Sequence, residues 1–255
     1  MKSAEEVLQY LEGSLSMFPE IPSVNYEVSY LDPSVATPSV VAYYMKAPVD
    51  DFSHNVIRVN GDAVDSMNDL YMTLAHEGYP GHLYQAIYTL NSGRLYEINY
   101  VLGNMGYQEG WAMYVQNVMI REAGLNKGDA AYYEVNELYN YLSSAQLDIG
   151  INGYGWDVQQ VWDYLDEDHA YYTEDEVQET LDYFASMPGT LSAYGVGEAM
   201  FMSLRSVAQL SLGDDNFDMV EFHQVLLDHG SRPFTNVISD LEKYINGKGF
   251  VMQND

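Results

Sequence analysis

Two histidines, a glutamate and a proline–glycine pair share one short segment, TLAHEGYPGHLYQ, at residues 73–85. His76 and His82 offer neutral imidazole nitrogens to a divalent metal, and Glu77 stands beside the first as a general base. That is how zinc hydrolases hold an ion next to a reactive water. The common H-E-x-x-H form sets its histidines four residues apart on one helix face. Here they are six apart, and an unbroken helix turning about 100° per residue would leave them roughly 120° apart. Pro80 cannot make the ordinary helical hydrogen bond to residue 76, and Gly81 opens backbone angles closed to other residues. A break there could turn His82 back toward His76. The competing reading has no metal: His76 packs at a helix end and His82 opens the next helix.

The chain contains no cysteine, so a third ligand must be an oxygen or a further imidazole. The best candidate is Glu109 in QEGWAMYVQ, at the start of a helix expected to be strongly amphipathic, with Trp111 and Tyr114 on its buried side. The ordinary alternative is a first-turn glutamate favoured by the helix dipole. Glu97, following Arg94 in a polar connector, reads as a solvated charge. With two neutral imidazoles, a carboxylate ligand offsets the ion's charge and leaves a fourth position open to water.

HEGYPGH followed by Gln85, then EGWAMY, DIGINGYGW, MPGTLSAYGVG and the closing block LRSVAQLSLGDDNFDMVEFHQVLLDHGSRP resemble the bacterial domain of unknown function 885 family. The resemblance keeps its blocks in order from about residue 25 to about residue 245. It implies a helical, zincin-like metallopeptidase domain of the broad gluzincin type, with Zn2+ as cofactor and a peptide as substrate. Carried over, His76, His82 and Glu109 are the metal ligands and Glu77 the base that activates water. Members usually carry a histidine where this chain has Asn152; against substrate, Asn152 can donate a hydrogen bond but no proton. Members are also longer. The resemblance therefore makes the chain the C-terminal catalytic fragment of a larger protein, whose missing N-terminal region is a partner and whose removal can leave the fragment inactive.

Tyr194, in AYGVG among Gly189, Gly195 and Gly197, is a candidate donor to a developing oxyanion. In a chain with 24 tyrosines, a buried phenol with a satisfied hydroxyl is the plain alternative. His229 and Arg232 in DHGSRP suggest a second proton donor and a clamp for a terminal carboxylate, which favours short peptides. His229 can equally serve a helix C-terminus. Asp148 either orients a ligand histidine or ends its helix.

The elements that must position these residues are mostly helical. Residues 3–15 read as a short amphipathic helix. Pro19, Pro22, Pro33 and Pro38 then break the chain, leaving β-leaning runs at Asn25–Leu31, Ser39–Met45 and Asn55–Val59 for a small antiparallel sheet. From Asp62 the period is helical: Val64, Met67, Leu70, Tyr71 and Leu74 share a face, and Leu83, Ala86, Ile87 and Leu90 resume one after Pro80-Gly81. Asp157, Thr173 and Asp218 look like N-caps, the last two with Glu176 and Glu221 in capping-box position, while Gly124, Gly150, Gly213, Gly230 and Gly247 look like stops. The expectation is one mainly α domain (α+β) over residues 1–255: a helix and small sheet in 1–61, then a helical part carrying the metal site in 62–255.

Composition narrows the partners. A net charge of -28, with 38 acidic and ten scattered basic residues, argues against nucleic acid and anionic lipid. No run is long and apolar enough to span a membrane, and the first residues lack the parts of a signal peptide. A bacterial protein, secreted or attached to the envelope through an upstream segment, is one expectation for localisation, which the sequence leaves open. A homodimer through an exposed strand edge or apolar face is another. The alternative to a peptidase is a peptide- or ligand-binding module that keeps the fold without catalysis; a third reading is a metal-free scaffold.

Overall fold

The computed structural model describes residues 3–37, 40–48, 53–167 and 169–253, with the side chains of Glu97 and Tyr100 outside the description. Ser3 opens helix α1 (Ala4–Glu12), its hydroxyl accepting from the Glu6 N–H while the Glu6 carboxylate accepts from the Ser3 N–H. Val7, Leu8 and Leu11 form its buried stripe, and the helix ends at Gly13, short of residue 15.

Three strands follow: β1 (Tyr26–Tyr30), β2 (Ala42–Met45) and β3 (Asn55–Val59). The predicted antiparallel sheet is in fact mixed. Its order is β1-β3-β2, with Tyr26 to Tyr30 running parallel to Asn55 to Val59 and β2 antiparallel to β3. β1 and β2 are consecutive but do not pair, because the proline-punctuated chain between them is too long for a hairpin and carries β2 to the far side of β3. β3, central and almost wholly buried, is the strand both others need. Ser39, where the second run was expected to begin, lies outside the described residues.

The rest is helical: α2 (Met67–Glu77), α3 (His82–Asn91), α4 (Glu97–Leu102), α5 (Met105–Ile120), α6 (Lys127–Asp148), α7 (Val158–Leu165), α8 (Glu174–Ser186), α9 (Thr190–Leu212), α10 (Met219–Leu227) and α11 (Phe234–Gly247). Val64 precedes α2, which starts at the Ser66 cap. Asp157, Thr173 and Asp218 are N-caps. Thr173 makes the reciprocal box with Glu176, whereas Glu221 turns its carboxylate to the Tyr244 hydroxyl instead. Gly150 does not stop its helix. The chain continues through a π-helical turn, Ile149–Gly153, because Trp156 folds back over Gly150, where a Cβ would meet the indole at 2.3 Å.

Helix α5 is buried on nearly every face from Tyr107 to Ile120, so it is not the amphipathic helix its sequence suggests. It crosses α9 with almost no side chain between the backbones: a Cβ on Gly110 would fall 2.4 Å from the Gly197 carbonyl carbon, and one on Gly197 2.2 Å from the Gly106 oxygen. α9 approaches α6 in the same manner at Gly195, where a Cβ would fall 2.4 Å from the Tyr141 oxygen. The main core gathers α1, the sheet and α2, α3, α5, α9, α10 and α11. A smaller one, around Leu147, Ile151, Val161, Val177 and Phe184, joins the π turn to α7 and α8. Among the described residues no helix is long and apolar enough to cross a membrane.

Candidate metal centre

Helix α2 ends at Glu77 and α3 begins at His82, and the four residues between them reverse the geometry an unbroken helix would impose. The Tyr79–Pro80 peptide is cis. Gly81 sits so tightly over the end of α2 that a Cβ would lie 1.7 Å from the His76 oxygen, so no other residue fits without moving the turn. The Trp111 indole N–H donates to the Pro80 oxygen at 3.0 Å, tying the turn to α5. The rings of His76 and His82 are thereby brought to 4.8 Å between centroids, nearly perpendicular.

Glu109 reaches into this pair from the first turns of α5. Its Oε2 is 3.2 Å from His82 Nε2 and 3.6 Å from His76 Nε2. Although so close, this buried oxygen makes no hydrogen bond of acceptable geometry, an arrangement that suits atoms sharing a cation better than a donor–acceptor pair. Burial opposes its charge, yet the attraction of the adjacent His76 and His82 rings holds the Glu109 carboxyl well below the usual range. For His82, burial disfavours the charged ring, but Glu109 and Glu77 outweigh it and raise its pKa.

Glu77 completes the cluster. One ligand atom from each of His76, Glu77 and His82 lies within 4.8 Å of the other two, but the nearer Glu77 oxygen is 3.9 Å from His76 Nε2, farther than Glu109. Its other oxygen accepts the Tyr44 backbone N–H of β2 at 2.8 Å. A carboxylate anchored by one oxygen to a strand edge is placed to exchange a proton through the other. The donor set, two imidazoles and a carboxylate with an orphaned oxygen, fits zinc.

Tyr194, on α9, lies with its ring parallel to His76, 6.2 Å away. Burial above all, and the negative charge of the nearby Glu109 carboxylate, push its phenol pKa up. It is kept there by Asp148, which caps α9 rather than touching a histidine: its carboxylate accepts from the N–H groups of Gly189 and Ser192 and the Ser192 hydroxyl. These bonds, against the opposing effect of burial, keep the Asp148 pKa low.

The other expected residues stand apart from the cluster. The Asn152 amide donates to Asp148 Oδ1 at 2.9 Å and to the Phe184 oxygen at 3.0 Å, so it braces the π turn against α8. Arg232 is 2% exposed; it donates to the carbonyls of Val225, Leu226 and Gly230 and to Asp240. A guanidinium spent on the end of α10 is not a clamp for a substrate carboxylate. His229 sits at φ 72, with Nδ1 on the Arg94 oxygen at 2.7 Å and its ring stacked on Tyr96. Glu97 opens α4, and its side chain lies outside the described ones.

Sequence reasoning passed over three neighbours: Tyr44, whose contribution is a backbone N–H, the half-buried Glu137 and the buried Glu198. Glu198, one turn beyond Tyr194, carried a signal in that spacing.

A model of the family described as "Bacterial protein of unknown function (DUF885)" matches residues 1–239. The chain belongs to the DUF885 family. No curated protein matches it. Its fold recurs in a candidate lipoprotein of Colwellia psychrerythraea, at a TM-score of 0.76 and 23% identity over 96% of this chain and 42% of that one. It recurs also in a candidate lipoprotein of unknown function from Shewanella oneidensis, at 0.68 and 19% identity over 92% and 44%. This DUF885 chain thus spans less than half the length of the solved proteins it matches.

Proposed function

We propose that this DUF885 chain is the catalytic part of a zinc peptidase acting on short peptides. The observation that carries the reading is the buried, hydrogen-bond-free Glu109 oxygen beside the Nε2 atoms of His76 and His82, with Glu77 alongside. His76, His82 and Glu109 would hold the ion, which when bound supplies Lewis acidity toward water and the scissile carbonyl. Glu77, with one oxygen fixed by Tyr44, takes a proton on the other and returns it to the departing amine. Tyr194 faces the same cluster and offers its hydroxyl to the carbonyl oxygen as charge develops there. The naming of the two neighbours as lipoproteins supports a place in the bacterial envelope.

The test is metal analysis of protein purified without added zinc, paired with hydrolysis of a broad peptide library. The expected result is about one zinc per chain, with Glu77→Gln keeping the metal and fold but losing nearly all hydrolysis. An active Glu77→Gln protein refutes the proton path. Stoichiometric zinc without hydrolysis of any peptide points to a binding module instead.

A further inference from the structure

A cavity of about 220 Å³ opens directly beside His82 and Glu109. It is smaller than the roughly 300–1,000 Å³ that whole ligands occupy, so it suits one residue of a substrate. Helix α3, having delivered His82, places Gln85 in the cavity wall one turn later. Gln85 is only 7% exposed, and its amide nitrogen has no hydrogen-bond partner. Leaving such a buried donor unmatched costs about 1–3 kcal/mol, a cost that an entering acceptor removes. Lys46, beyond the end of β2, brings an ammonium to the same cavity. It is one of ten basic residues in a chain with 38 acidic ones. Asn99 and Ser231 also line the cavity: Asn99 donates to the His229 oxygen, and Ser231 is bonded to both polar groups of the Asn104 backbone.

A cation and a buried amide N–H beside a candidate reaction centre match a carboxylate, whose two oxygens accept one bond from each. We infer that this cavity is the substrate subsite for a carboxylate, from a Glu or Asp side chain or a peptide's free C-terminus, held by Lys46 and Gln85. The inference rests on the peptidase reading of the adjoining cluster and gives that peptidase a preference for acidic or C-terminal residues. It also relocates the carboxylate clamp that the sequence suggested at Arg232.

The experiment uses the full chain carrying Glu77→Gln, loaded with zinc, and calorimetric titration with acetyl-tetra-alanine amides in which Glu, Gln or Leu replaces each alanine in turn. Acetyl-tetra-alanine with a free C-terminus is the companion probe. At one position the Glu peptide is expected to bind at least about tenfold more tightly than the Leu peptide, with Gln between them. If the terminal carboxylate is the natural occupant, the free-acid peptide gains instead. A tenfold change corresponds to about 1.4 kcal/mol, within reach of one charge-assisted hydrogen bond. Lys46→Met should abolish the preference for Glu over Gln, and Gln85→Leu should weaken both peptides, each with zinc content unchanged. Equal affinities throughout, no binding of any probe, or a preference that survives both substitutions overturns the subsite. Zinc content and hydrolysis by the unsubstituted chain judge the peptidase reading separately.

Discussion

Replacing Glu198 by glutamine should stabilise the folded chain, and increasingly so as pH rises. The residue is wholly buried. One oxygen accepts from Asn117 Nδ2 at 3.0 Å and the other has no partner. Burial above all, opposed by the Asn117 bond and assisted by the Glu137 charge, pushes its pKa from 4.5 up to about 7. The folded value lies above the unfolded one, so unfolding releases a proton between the two. Stability is therefore full below about pH 4.5, declines toward pH 7 and is level beyond. The gap between 4.5 and about 7, at about 1.4 kcal/mol per pH unit, makes about 3 kcal/mol. Glutamine keeps the bond from Asn117 without that dependence. Urea unfolding of both proteins at pH 5 and pH 8, with chelator throughout so that metal linkage does not enter, reads the difference. The advantage of the variant should grow by about 2.5 kcal/mol between the two pH values. An advantage that is flat, or shrinks as pH rises, would show that Glu198 is not held protonated by its surroundings.

Glu109→Ala should weaken zinc binding by more than the roughly 10–100-fold typical of losing an outer partner, while Glu97→Ala leaves it nearly unchanged; competition with a chromophoric chelator measures both. Tyr194→Phe should retain zinc and lower kcat by about 10²–10³, as read by steady-state hydrolysis. Gly197→Ala would drive a methyl toward the Gly106 oxygen, 2.2 Å from its ideal position, and should cost at least about 1–3 kcal/mol, seen as a lowered Tm.

What the sequence discloses follows from how local each signal is. Thr173 with Glu176 and Asp157 before its helix are read from neighbours three residues away, and both cap as expected. The histidine pair was half legible: Pro80 and Gly81 announce a break, but its direction depends on Trp111, distant in sequence, reaching the Pro80 carbonyl. The mixed sheet was hidden because β1 pairs with β3 across the intervening β2, which no period of two can reveal. Arg232 misled for a related reason. An arginine after a helix reads as a ligand-facing cation unless the three carbonyls it caps can be seen. Lys46 gave no signal, since a single lysine after a strand resembles any solvated charge.

The glycine crossing of α5 and α9 divides the site into parts that can and cannot be redesigned. Where backbone meets backbone at Gly110 and Gly197, no rotamer change can absorb an altered separation. A one-residue insertion between Glu109 and Gly110, or between Tyr194 and Gly197, would swing that side chain around by about 100° relative to the crossing. These two side chains are thus a fixed jaw, indexed to each other by the crossing. The cavity beside them is lined by Lys46, just past β2, and by Gln85, in the first turn of α3, and neither residue takes part in that crossing. Engineering that seeks a new substrate while keeping the metal should therefore vary Lys46 and Gln85 and leave both long helices untouched.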